Sequence, residues 1–273
     1  MRKKKRFYKV FQYIALLCAL IIIIFPGVVT GVLTCALPIF SSFKIKEDIL
    51  SYPPKIFPSQ FTLSNYITAF QDYNVLLYLK NSLIVTCATV ILTIIIAALA
   101  AYAMCFLKMK GARILNNLLY ILQVLPTITM MVPLMTIYRM MGIQNTYLSL
   151  ILTYTAAVSG APIALILITG YFQAIQQELF ESAILLPLGA PGMVCTAIYV
   201  FVQTWQEFMF AVNLITLPEK YTLPVGLQSF VGMRSTDWGG MMATCTMIAI
   251  PAIILFTMVQ NYFVDNLAGS VKE

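Results

Sequence analysis

Of the ten acidic residues in this 273-residue chain, three stand where chemistry or docking is possible. Glu178 and Glu181 lie in Phe172-Gln-Ala-Ile-Gln-Gln-Glu-Leu-Phe-Glu-Ser-Ala183, a polar interruption between long apolar runs. At a helical spacing of i, i+3 the two carboxylates share one face. The adjoining Gln176 and Gln177 make that face read as a docking surface rather than an active site. Glu207, in Thr204-Trp-Gln-Glu-Phe208, falls inside an apolar run instead. A charged residue at mid-bilayer costs about 2.5–3.5 kcal/mol on insertion scales, and such residues face a bundle interior or water. Glu207 therefore reads either as a pathway or interface residue, or as a polar knot with Gln203, Gln206 and Asn213 that pins adjacent helices.

Other chemistries find no residues to carry them. The chain has no histidine, which removes imidazole metal sites and Ser-His or Cys-His catalysis. Cys18, Cys35, Cys87, Cys105, Cys195 and Cys245 are scattered through apolar segments without a C-x-x-C pair. No Walker loop or glycine-rich phosphate cradle is present, so no catalytic residue, metal or cofactor is expected in this chain. Active transport, if the chain takes part in it, must draw energy from a partner or from an ion gradient. An ion-coupled carrier needs a dense network of intramembrane ionisable groups, and a membrane-embedded enzyme needs clustered Asp, Glu or His at a membrane face. Both remain as alternatives, and the sequence supplies neither constellation.

The elements that position these residues follow from composition. Hydrophobic residues make up 60% of the chain and charged residues 10%, which describes a polytopic helical membrane protein. The net charge of +7 does not point to nucleic acid, because Arg2, Lys3, Lys4, Lys5, Arg6 and Lys9 precede the first apolar run. That placement is the positive-inside signature of a cytoplasmic N-terminus, with the run read as a retained span rather than a cleaved signal. A spanning helix needs about 20 apolar residues. Six candidates appear, at about 11–40, 79–107, 115–138, 147–172, 188–217 and 240–263, following a basic segment at 1–10. Residues 11–273 thus form one transmembrane domain with both termini inside. Ser64-Asn65 is expected to cap a short outer helix over Tyr66–Phe70. Pro126, Pro133, Pro162 and Pro251 stand inside apolar runs, where each removes a backbone donor and can kink its helix.

With these residues in place, the chain resembles the inner-membrane permease subunits of bacterial carbohydrate-uptake ABC transporters, the maltose-type, binding-protein-dependent family. The resemblance rests on an ordered series: Ser42-Phe-Lys44, then Tyr52-Pro-Pro-Lys-Ile-Phe-Pro-Ser-Gln-Phe-Thr-Leu-Ser-Asn-Tyr66, Asn81-Ser82 and Leu99-Ala-Ala-Tyr102 with Lys110-Gly111. Trp205-Gln-Glu-Phe208 looks like the family's W-N-[DE]-F, and Leu223-Pro-Val-Gly-Leu227, Asp237-Trp-Gly239, Tyr262-Phe-Val264 and Gly269-Ser-Val-Lys272 follow. The resemblance implies an all-α, six-span bundle of the ABC importer permease fold in the bacterial cytoplasmic membrane. It implies as partners a homologous second permease, a cytoplasmic ATPase dimer that binds the ATP, an extracytoplasmic solute-binding protein and a sugar substrate. Glu178, Glu181, Ser182, Ala183 and Pro187 would contact the ATPase through the loop at 173–187. Trp205, Gln206, Glu207 and Asn213 would face the substrate pathway.

Two departures from the family pattern have consequences. Glu181-Ser-Ala183 resembles the E-A-A element and Leu186-Pro187 the L-P that follows it, but the part between them is absent. About 13 residues are missing, which removes about 20 Å of helix at 1.5 Å per residue. Weakened coupling to the ATPase is the expected result. The first apolar run is also overlong, with Gly27 to Ser41 separating Phe25-Pro26 from Ser42-Phe-Lys44. Within it, Val29 to Ile39 reads, apart from Leu33, as a translated sequencing-adapter oligonucleotide, so an assembly origin is expected for that string.

Overall fold

The computed structural model describes residues 36–107, 109, 111–124, 126–158, 160–173, 185–232 and 235–269. Residues 36–42 are helical, and eleven further α-helices follow among the described residues. They are α1 (Lys46–Ile49), α2 (Ser64–Asp72), α3 (Val75–Cys105), α4 (Ala112–Val124), α5 (Met131–Met140) and α6 (Tyr147–Thr153). The chain continues through α7 (Ala161–Gln173), α8 (Leu185–Trp205), α9 (Met209–Leu214), α10 (Leu223–Gly226) and α11 (Trp238–Gly269). The only strand-like feature described is an isolated bridge between Val231 and Thr236.

Helix α3 is the axis of the bundle and packs most extensively on α7 and α8. Its sequence is apolar on every side, which suits a helix surrounded by lipid and protein rather than water. What differs between its faces is size. Thr89, Thr93, Ala97 and Ala101 are buried, while Ile91, Ile95 and Leu99 are exposed. Small residues allow close helix approach, and the large ones are left to the hydrocarbon. Ala97 and Ala101 meet Ala164, Leu165 and Ile168 of α7 and Val200 of α8 in one core cluster. At 31 residues α3 is about 46 Å long, longer than the ~30 Å hydrocarbon core, so it projects beyond the membrane.

Among the described residues, two helices are long and apolar enough to cross a membrane, Val75–Cys105 and the Trp238–Leu255 part of α11. A third is added if the pair Tyr147–Ala156 and Ala161–Gln173, bent by 45°, counts as one span. Three of the expected spans are interrupted. Over 115–138 the helix stops at Val124, because Pro126 is extended (ψ 113°) and disfavours helix before it; a 3-10 turn and α5 follow. Over 147–172 the ladder slips into a π turn at Tyr154–Val158. Gly160 then passes so close that an added Cβ would lie 2.0 Å from the Thr155 carbonyl oxygen. Over 188–217 the helix ends at Trp205 and restarts at Met209. The stretch 79–107 starts earlier than expected, at Val75, after Asn74 in the left-handed conformation (φ 53°). Most of the first expected span lies outside the described residues.

Segments distant in sequence are stitched by side-chain amides. Asn65 is not a cap: α2 starts at Ser64, whose N–H donates to Thr62 Oγ1 at 3.1 Å. The Asn65 amide donates instead to the Ser42 and Lys44 carbonyls, both at 2.8 Å. Farther on, Asn81 Nδ2 donates to the carbonyls of Glu219 and Tyr221 at 3.0 and 2.9 Å, while Tyr147 Oη donates to Asn81 Oδ1 at 2.8 Å. Ser82 Oγ accepts the Leu223 N–H at 2.7 Å. The Asn81-Ser82 pair, expected at the opening of a span, thus sits inside α3 and holds the Leu223-Pro-Val-Gly226 turn. Gly226 is needed there, since a Cβ would lie 2.3 Å from the Tyr78 ring.

Candidate functional site

The break between α8 and α9 is where the Trp205-Gln-Glu-Phe208 segment does its work. Trp205 closes α8 in the core, 1% exposed, with its ring stacked on Phe201 at 5.5 Å. Its indole N–H donates to the Ile248 carbonyl of α11 at 2.9 Å. That contact fixes where α8 stops. Two residues later the Glu207 carboxylate turns back on the chain. Oε1 accepts the Phe210 N–H at 2.8 Å and Oε2 the Ala211 N–H at 3.1 Å. These are amides at the start of α9, which have no helical carbonyl to bond, so the glutamate caps the new helix and favours the interruption.

Glu207 has one further partner, from another span. Tyr154, 1% exposed in the π turn, donates its hydroxyl to Glu207 Oε2 at 2.6 Å. The polar knot expected among Glu207, Gln203, Gln206 and Asn213 does not form. Asn213 donates to the Met209 carbonyl of its own helix at 2.6 Å, and Gln203 and Gln206 are exposed. A carboxylate accepts only, and the backbone amides of α9 were the nearest donors in sequence. The tyrosine was the partner that sequence reasoning missed. Its signal was a phenol in an apolar run, six residues before Gly160-Ala-Pro162.

Gln206 and Phe208, on either side of the capping glutamate, face a cavity of about 620 Å³. Pro224, Gln228, Val231 and Ile248 contribute to its wall. The volume lies in the range of ~300–1,000 Å³ usual for small-molecule sites, and the mixture of apolar walls with a few amides is usual too. Each glutamine side chain offers two donors and a two-lone-pair acceptor, without charge. Gln228 was not singled out by sequence reasoning, because it lies in a turn whose neighbours carry no chemistry.

The turn beyond α9 is held from the other side. Asn145, in a left-handed conformation (φ 62°), accepts from the Thr216 N–H at 2.6 Å through Oδ1. Lys220 Nζ donates to the Asn145 carbonyl at 2.8 Å. The break, the cavity and the 214–223 turn are therefore tied to α3 and to the α5–α6 connection. Of the residues expected at a docking loop, Glu178, Glu181, Ser182 and Ala183 lie outside the described residues, and Pro187 falls in the first turn of α8.

No family model matches the chain. Comparison with curated proteins does find relatives over most of its length. The chain is 37% identical to the probable ABC transporter permease protein YurM of Bacillus subtilis, over 86% of this chain and 81% of that protein. It is 31% identical to the trehalose/maltose transport system permease protein MalG of Thermococcus litoralis, over 92% of this chain and 96% of that protein. The second alignment extends over 272 positions yet takes in 92% of a 273-residue chain, so that relative carries residues with no counterpart here. Among solved structures, a chain of a bacterial ABC transporter involved in the import of the acidic polysaccharide alginate shares the fold, with a TM-score of 0.71. That match covers 96% of this chain and 98% of the other at 18% identity.

Proposed function

The chain belongs to the permease subunits of sugar-transporting ABC systems, and from that premise we propose that it forms one half of the translocation pathway of an ATP-driven importer. A homologous second permease supplies the other half. Six spans cross the bacterial cytoplasmic membrane, with both termini on the cytoplasmic side. A solute-binding protein delivers a sugar or oligosaccharide to the outer turns, and ATP is bound and hydrolysed by a partner ATPase dimer, not by this chain. Closure of that dimer reaches the spans through the loop at 173–187, where Glu178, Glu181, Ser182, Ala183 and Pro187 are the contact residues.

The observation that carries this reading is the break after Trp205. A continuous helix would bury its glutamine among apolar neighbours, whereas here Gln206 and Phe208 border a cavity of about 620 Å³. Amides and an aromatic ring suit a polyhydroxylated ring with one apolar face. Gln206 is assigned to direct contact with the sugar. Trp205, Glu207 and Asn213 shape the break from within, Trp205 by anchoring to α11, Glu207 by capping α9 and Asn213 through its bond to Met209.

The loop that would meet the ATPase is shortened. Only two residues separate Ala183 from Leu186, which leaves no room for the usual coupling helix. Coupling is therefore weakened in this chain. The test of the pathway is uptake of labelled di- and oligosaccharides by a complex with the three kinds of partner. Gln206→Ala and Gln228→Ala should each raise the half-saturating sugar concentration severalfold and leave basal ATPase unchanged. Uptake insensitive to both substitutions would remove the cavity from the pathway.

A further inference from the structure

Two interrupted spans meet at one carboxylate oxygen. Glu207 Oε2 takes the Ala211 N–H of the α8–α9 break and the Tyr154 hydroxyl of the π turn between α6 and α7. We propose that Tyr154 and Glu207 are positioning residues that lock the two breaks into one moving unit, so that the peptide presenting Gln206 and Phe208 shifts only together with the π turn.

Both breaks are places where backbone bonds have slipped from the helical ladder, and single π turns concentrate at functional sites. The α9 cap by itself needs only Glu207 and its own amides. The tyrosine comes from a different span, so its bond adds a constraint between elements that are far apart in sequence. Tyr154 belongs to one buried core cluster with Leu150, Phe210 and Leu214, which makes the link part of a core that exists in discrete arrangements rather than a continuum. The π turn is confined as well, because the Gly160 position has no space for a side chain beside the Thr155 carbonyl. A rearrangement of the α6–α7 bend must break the 2.6 Å bond or carry Glu207 with it. Carrying Glu207 reorients residues 206–208 at the cavity wall. The link gives the outer cavity and the bent span one common motion. Its role in transport rests on the reading of the cavity as pathway; the link between the breaks does not.

Hydrogen exchange on the full chain in lipid nanodiscs tests it. Tyr154→Phe should raise exchange at the Phe210 and Ala211 amides, across the link from the substitution, by at least about tenfold, the loss expected for one bond to a charged acceptor. Glu207→Ala, which removes both acceptor oxygens, should raise exchange in the π turn at 154–158. The double variant should go no further than the larger single effect. Exchange that rises only in the substituted segment, or effects that add in the double variant, would overturn the proposal. Should Tyr154→Phe fail to fold, Glu207→Ala decides the matter from the other side. In a transporting complex, Tyr154→Phe should lower the maximal uptake rate while the half-saturating concentration holds. A parent complex without uptake would count against the proposed function, and the exchange result would still decide the link.

Discussion

Asn65 and Gly239 are in contact, so close that a Cβ on the glycine would lie 2.3 Å from Asn65 Oδ1. Asn65 holds Ser42 and Lys44 by two backbone carbonyls, and Gly239 stands in the first turn of α11. Residues from three sequence motifs, with Asn65 more than twenty positions from Ser42, Lys44 and Gly239, thus form one clasp. Gly239→Ala must push the amide off one or both carbonyls. A loss of about 1–3 kcal/mol is expected for the bonds left unmade. Thermal unfolding in detergent and proteolysis within 44–62 should both show it, and an unchanged melting temperature would dissolve the clasp.

A second clasp is centred on Asn81, 1% exposed. Its side chain donates twice, to the Glu219 and Tyr221 carbonyls of one turn, and accepts once, from Tyr147 of α6. Asn81→Asp keeps the acceptor for Tyr147 but points a carboxylate at two carbonyls. It should destabilise at least as much as Asn81→Ala, by about 2–4 kcal/mol, because a buried unpaired charge costs more than a lost amide. An aspartate variant as stable as the parent would contradict the assigned bonds.

The loop at 48–60 should weaken in acid. Asp48 is ion-paired with Lys55 at 2.7 Å and also accepts from the Ser59 N–H at 2.8 Å and the Ser59 hydroxyl. The Lys55 ammonium, then the Ser59 donors, pull its pKa from 3.8 to about 2. A carboxyl whose folded pKa is depressed stabilises above its unfolded value, and that stabilisation is lost as pH falls through the folded value. Pepsin cleavage within 48–60 should therefore accelerate between pH 3.8 and about 2, relative to Asp48→Asn, which should be open across the whole window. Parallel pH profiles for the two chains would show that the carboxylate does not hold the loop.

The class of the protein was legible from composition, and its family from the order of short motifs, before any contact was known. The clasp residues themselves were legible as motif members. What could not be read was their reach. Asn81 to Tyr221 and Asn65 to Ser42 are long-range bonds, and nothing at either end announces the partner. Span continuity failed for a related reason. A hydropathy window averages over Pro126, over Gly160 and over Glu207, and each of them interrupts a helix through one local event that leaves the average intact. Glu207 was singled out for its charge, yet its partners proved to be a backbone terminus and a tyrosine 53 residues away rather than the nearby amide side chains.

The most direct test of the account is uptake by proteoliposomes that hold the chain with a second permease, the ATPase and ATP inside, and the binding protein with labelled oligosaccharide outside. The measurement is made on the chain as it stands and with about 13 residues of helix restored after Ala183, a length of about 20 Å. Weak uptake is expected in the first case and strong uptake in the second, abolished by vanadate and absent without the binding protein. Uptake that ignores vanadate and collapses when a proton or sodium gradient is dissipated would contradict it.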